Sequence, residues 1–141
     1  MIFHQLIAFF ITGLITINQT MAIEAVRVDK DLVEEFIPFT HKYELIIADN
    51  CVHCMKQLEV MKECVKEEEV IVLLDNLSKL SDEKLRRLVR KKKITYKTYL
   101  IDSEIRKVYD FKGITPVMWM NAGKNKTSHV GVVSCSKLKE I

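Results

Sequence analysis

The chain is poor in residues that interrupt regular structure. Its 141 residues hold only two prolines and four glycines. No Pro-, Gly- or Ser-rich stretch, low-complexity tract or internal repeat divides it, which excludes a flexible linker and a repeat architecture. A second C-x-x-C is missing, as is a pair of histidines at zinc-finger spacing, so a closed zinc corner lacks its other half. Met55 stands where haem attachment through C-x-x-C-H needs histidine, and that chemistry is excluded. The net charge is only +3, and base-reading and phosphate-cradling motifs are absent, so no nucleic-acid partner is expected. No apolar run reaches the roughly 20 residues of a comfortable membrane span.

Charge is also absent from the start of the chain. Residues 1–22 contain no Lys, Arg, Asp or Glu, and Leu6 to Ile17 is an apolar run broken by Gly13. Thr20-Met21-Ala22 closes the run with the small-residue spacing of a signal-peptidase site. A cleavable secretory signal is the expectation. An uncleaved anchor is the alternative, favoured by an n-region whose only basic side chain is His4. No cysteine follows the run, so a bacterial lipoprotein is not expected. Both outcomes put residues 23–141 in an oxidising compartment, secreted or periplasmic, or tethered at the inner membrane. Two segments are thus expected: 1–22 as signal or anchor, and 23–141 as one domain large enough to fold on its own core.

Within that domain, Cys51-Val52-His53-Cys54 is the organising stretch. Before it, Tyr43 to Ala48 reads as a short apolar strand and Asp49-Asn50 as a turn. After it, Cys54, Leu58, Met61 and Val65 recur at helical spacing, which predicts a helix to about Val65. Two cysteines therefore open a helix that leaves a buried strand. The free N–H groups and positive dipole end there favour a thiolate at Cys51. The i, i+3 spacing brings both sulfurs onto one turn, within bonding reach. A redox pair is the preferred reading; a static disulfide, or a metal corner using His53, Cys64 and His41, remain alternatives.

The rest of the domain alternates strand and helix. Asp29 to Ile37 is expected as a short helix stopped by Pro38. Glu67-Glu68-Glu69 opposes the dipole at a helix C-terminus, so the first long helix should end before it. Val70 to Leu74, ending in Asp75, has the continuous apolar pattern of a central parallel strand. Ser81-Asp82-Glu83 opens another helix, closed by Arg90-Lys91-Lys92-Lys93. Thr95 to Ile101 is the next strand, followed by a brief helical piece with Ile105, Val108 and Tyr109. After Gly113-Ile114-Thr115-Pro116, Val117 to Met120 and a return strand through Val130 form a hairpin around Asn121-Ala122-Gly123-Lys124. Ser136 to Ile141 is a short last helix. The expected class is α/β, with a central mixed sheet flanked by helices.

Four lesser features complete the reading. Cys64 lies roughly 20 Å from Cys51 and 15 Å from Cys54 along the helix at 1.5 Å per residue, beyond disulfide reach. It either pairs with Cys135 or stays a buried free thiol, and the free thiol is the slightly favoured expectation. Arg86, Arg87 and Arg90–Lys93 read as a solvated basic face, with an acidic partner or lipid head groups as the alternative. His41 and His129 read as ordinary turn and strand residues. Asn76-Leu77-Ser78 and Asn125-Lys126-Thr127 fit the glycosylation sequon, which matters only in a eukaryotic source.

The chain resembles the thioredoxin superfamily in two separate stretches: Cys51-Val52-His53-Cys54 between strand and helix, and Gly113-Ile114-Thr115-Pro116 with its hairpin and His129-Val130-Gly131-Val132-Val133-Ser134. The helix and strand expected between the two motifs, over Ser81–Lys93 and Thr95–Asp102, are additions to a minimal thioredoxin. They resemble the exported or membrane-tethered thiol–disulfide proteins of bacteria around the cytochrome-maturation reductases. The resemblance implies a thiol:disulfide oxidoreductase acting on protein thiols and disulfides, with no diffusible cofactor, no metal and a membrane redox partner. In it Cys51 is the attacking thiolate, Cys54 the resolving thiol, and His53 a residue that lowers the Cys51 pKa. Val52, Thr115 and a cis Pro116 would meet the substrate strand. The chain departs from the family pattern at Asn50, where tryptophan is frequent, and at Leu45, where many members bury an acid; both weigh against thioredoxin-like reduction more than against oxidation. A non-catalytic thioredoxin-fold binding module of an envelope or secretion assembly is the competing expectation.

Overall fold

Six consecutive buried residues, Tyr43–Ala48, make the strand on which the rest of the sheet is registered. In the structure, a computed structural model that describes residues 21–141, this strand is β3. Before it come β1 (Ile23–Arg27) and β2 (Leu32–Phe36). After it come α1 (Val52–Cys64), β4 (Val70–Asp75), α2 (Asp82–Lys91), β5 (Lys97–Leu100) and α3 (Ser103–Val108). The chain then forms the hairpin β6 (Val117–Ala122) and β7 (Asn125–Val130) and ends in α4 (Cys135–Leu138). Apart from Met21 and Ala22, the expected signal or anchor segment lies outside the described residues.

Among the described residues the strands form one sheet in the order β2-β1-β5-β4-β3-β6-β7. β3, β4 and β5 run parallel, while β1–β2 on one flank and β6–β7 on the other are antiparallel. Alternation along β3 sorts its side chains: Tyr43, Leu45 and Ile47 face one way, Glu44 and Ile46 the other. The first face is covered by Cys54, Leu58 and Met61 of α1, Leu85 and Val89 of α2, and Leu138 of α4. On the second face Ile105, Tyr109 and Phe111, from α3 and the loop after it, pack on Ile46, Ile71, Leu73 and Tyr99. Each such leucine- or isoleucine-sized chain adds roughly 1.5–3 kcal/mol on burial, so the two layers hold the central strands from both sides.

The helix starts follow their caps. Ser81 accepts from the Lys84 N–H at 3.4 Å at the start of α2, and Asp102 accepts from the Ile105 N–H at 2.8 Å at the start of α3. α1 stops at Val65, whose extended backbone cannot continue the helix and whose N–H donates to the Met61 carbonyl at 3.0 Å. The three glutamates after it form a single 3-10 turn.

Two expectations are corrected. Asp29 to Ile37 is not a helix: Leu32–Phe36 is a strand paired with β1, from Ile23↔Phe36 to Arg27↔Leu32. Leu32, Val33, Phe36 and Ile37 do fit a helical stripe, but a hairpin closed at Asp31 with φ 50° pairs the stretch with β1 as the edge strand of the sheet. Buried Arg27 then bonds Asp29 at 2.6 Å and Glu34 at 2.8 Å, which ties the turn to both strands. The second correction concerns Cys64, which is bonded to Cys135 with Cα atoms 5.7 Å apart, not left as a free thiol. Cys64 ends α1 and Cys135 begins α4, and the two helices are in contact with each other.

Candidate dithiol site

Cys51 is the N-cap of α1. Its backbone is extended, with φ −139° and ψ 106°, and its sulfur accepts from the Cys54 N–H at 3.2 Å. The sulfur thus occupies the place a serine or aspartate oxygen takes at ordinary helix starts, and it meets the positive end of the helix. Cys54 is fully buried on the inward face of α1 and is bonded to Cys51, with Cα atoms 5.2 Å apart. Behind it Leu45 is also fully buried, so the inner sulfur faces an apolar wall.

Thr115 approaches from the loop between α3 and β6. Its hydroxyl lies 3.4 Å from the Cys51 sulfur, the one side-chain contact from outside α1 that reaches it among the hydrogen bonds of the described residues. The Thr115–Pro116 peptide is cis, and Pro116 is buried while Thr115 is half-buried. The Pro116 carbonyl accepts from the Gly131 N–H at 2.9 Å, at a glycine with φ +96° that a side chain would strain. Val52 and His53 complete the first turn of α1 and are both exposed. The structure therefore gathers Cys51, Cys54, Thr115 and Pro116, whereas Val52 and His53 stand in solvent beside them, without a hydrogen bond from His53 to Cys51.

Gln57, one turn below Cys54, went unread in the sequence. It is fully buried and bonds the backbone of Val133 twice, accepting from its N–H at 2.6 Å and donating to its carbonyl at 3.1 Å. A glutamine at a position on the apolar stripe was the available signal.

The strongest polar cluster lies on the opposite face of the sheet. Glu44 is fully buried and accepts from the backbone N–H of Phe39 at 2.8 Å and of His41 at 3.2 Å, from Asn121 Nδ2 at 2.8 Å, and from the Tyr109 hydroxyl. Burial pushes its carboxyl pKa up, and those hydrogen bonds pull part of the way back. Burial and the neighbouring Glu44 charge raise the Tyr109 phenol. Being on the far side of β3, Glu44 has no part in the dithiol geometry.

No family model matches the chain, and no curated protein matches its sequence. Solved structures do match. One is StoA of Bacillus subtilis, at 20% identity over 86% of this chain and 96% of that one, with a TM-score of 0.59. Another is the exposed lipoprotein thioredoxin of Streptococcus pneumoniae, at 18% identity over 86% of this chain and 100% of that one, with a TM-score of 0.61. A third is a secreted disulfide oxidoreductase of Mycobacterium tuberculosis, at 12% identity over 86% of this chain and 94% of that one, with a TM-score of 0.61. The fold is thus the thioredoxin fold, here carrying a C-x-x-C pair at the start of α1. At these identities the likeness is one of fold.

Proposed function

We propose that the protein is an exported thiol:disulfide oxidoreductase that exchanges disulfides with protein cysteines through Cys51 and Cys54. The observation that carries the reading is the Cys51 sulfur, set at the N-cap of α1 with the Cys54 N–H and the Thr115 hydroxyl at 3.2 and 3.4 Å. Both contacts are hydrogen-bond donors, the arrangement that stabilises a thiolate once the disulfide opens.

The exchange balances as follows. A client thiolate attacks the Cys51 sulfur, the Cys51–Cys54 bond breaks, and its electron pair goes to the Cys54 sulfur, which takes a proton. A second client thiolate then attacks the client sulfur of the mixed disulfide and expels Cys51 as thiolate. The client loses two electrons, which the protein gains; of the two protons given up as the client thiols ionise, one ends on Cys54 and one in the solvent, with Cys51 left as thiolate; run backwards, the same steps reduce a client disulfide. Thr115 and Pro116 hold the client strand, Val52 borders it, and His53 tunes Cys51. A membrane thiol partner resets the pair, and no diffusible cofactor takes part.

Cys51→Ser is expected to abolish exchange, and Cys54→Ser to accumulate mixed disulfides visible on non-reducing gels. Equilibration with a glutathione series gives the potential of the pair and the direction: near about −120 mV for an oxidant, near about −270 mV for a reductase. A pair that does not equilibrate at all favours the second reading, a non-catalytic binding module. The observation behind that alternative is Leu45, a fully buried leucine in the apolar cluster that holds Cys54, where the resemblance leads one to expect an acid.

A further inference from the structure

We propose that the outer part of the sheet, over β1 and β2, is a docking face for an amphipathic helix of a partner protein, apolar on one side and flanked by Lys or Arg. The surface lies away from the dithiol and does not depend on the exchange reading above. Alternation along the hairpin sends Ile23, Ala25 and Phe36 into the core on the side of α3, so Glu24, Val26, Val33 and Glu35 point to the side of α1 and α2. There Val26 stands opposite Val33, and Glu24 opposite Glu35. Leu85 and Arg86 of α2 reach Val26, yet Val26 remains 39% exposed and Val33 63%.

The open strip has room for one helix. Neighbouring strands lie roughly 4.8 Å apart and packed helices roughly 8–10 Å apart. Leu85 of α2 meets Val28 and Leu100 in one cleft, which sets α2 over β1 and β5, and β2 is the free edge beyond them. A helix beside α2 therefore lies over β2, with the two valines beneath it. Charge selects the occupant. Glu24 and Glu35 are exposed and directly opposed, which like charges disfavour, and among the described residues neither has a cation within ion-pair distance. Asp82 adds an exposed carboxylate on the α2 side, where Arg86 is already held by Asp31 at 2.8 Å. Lysines or arginines beside an apolar stripe meet these carboxylates while the stripe covers the valines. Residues 1–22 are apolar but hold no Lys or Arg, so they leave the glutamates unanswered. A second copy has no apolar helix stripe to spare, because Leu58 and Met61 of α1 and Leu85 and Val89 of α2 are buried in its own core.

The probe is a fluorescein-labelled peptide of about 15 residues with leucine at helical spacing and lysine on the flanks. One control carries glutamate for lysine, and another has the same residues in scrambled order. Anisotropy with the full chain is expected to show the lysine peptide binding about tenfold more tightly than either control. Val33→Asp, and separately Glu24→Lys with Glu35→Lys, should each remove that preference with an unchanged circular dichroism spectrum, since all three positions are exposed. The charge-reversed variant should take up the glutamate peptide instead. Equal binding of the three peptides, no binding at all, or a preference that survives both variants overturns the proposal. Sedimentation of the wild type tests the other occupant: self-association that Val33→Asp abolishes gives the face to a second copy and overturns the partner helix.

Discussion

Gln57 clamps Val133 by both of its backbone polar groups, accepting from its N–H at 2.6 Å and donating to its carbonyl at 3.1 Å. The clamp fastens the segment after β7, whose Gly131 in turn holds the Pro116 carbonyl, to the helix that carries the dithiol. Gln57→Leu keeps the volume but leaves two buried backbone groups unpaired. The expected loss is about 2–3 kcal/mol of unfolding free energy, read by urea titration. A loss below about 0.5 kcal/mol would show that the segment finds other partners.

The Cys64–Cys135 bond should act on stability and not on exchange. It spans 71 residues of sequence, for which the chain-entropy model gives on the order of 4 kcal/mol. The paired variant Cys64→Ser with Cys135→Ser is expected to unfold at a markedly lower temperature, with the potential of Cys51–Cys54 unchanged. A shifted potential in a folded variant would tie the second disulfide to the redox cycle.

Burial raises the Glu44 carboxyl, so the fold prefers its protonated form. The stabilisation from that preference is complete below the pKa of an exposed glutamate, about 4.3, and is lost as pH rises through the folded value. Glu44→Gln cannot titrate. Unfolding free energy of the wild type minus that of Glu44→Gln should therefore decrease as pH climbs from about 4 toward 8. A difference that stays flat or increases contradicts the direction of the shift.

His53 is exposed on the first turn of α1, beside Cys51. On the proposed exchange function, His53 is the residue that stabilises the Cys51 thiolate and with it the reduced state, which would make the disulfide more oxidising. His53→Ala is expected to make the pair more reducing, by about 30 mV for each tenfold change in its equilibrium with glutathione. An unchanged potential would remove His53 from the tuning residues.

How much of this was legible depended on how local the signal was. β3, α1, β4 and α2 announced themselves through apolar periodicity and caps such as Ser81, all contained within a dozen residues. β1 and β2 did not, because Ile23–Arg27 and Leu32–Phe36 become strands through pairing with each other and through Arg27, and the latter alone mimics a helical stripe. At the site, Cys51 and Cys54 could be read from spacing, and Thr115–Pro116 from resemblance. For Gln57 only its odd place on the apolar stripe was readable; its partner was not, being a backbone 76 residues away. The same holds for Glu44: strand alternation put it on the far face, but its four donors come from three separate parts of the chain.

Because Cys64 is joined to Cys135, the residues between them form a covalent ring that contains β4 through β7 and Thr115. A protease that cuts one exposed loop in this ring, such as the tip at Gly123, opens the ring without releasing a fragment. Both new ends stay attached to α1, and the two pieces part only under reducing conditions. A cut between Cys54 and Cys64 has no such safeguard. The ring thus shields the half of the protein with the longest exposed loops, and leaves damage tolerance to a bond separate from the Cys51–Cys54 pair.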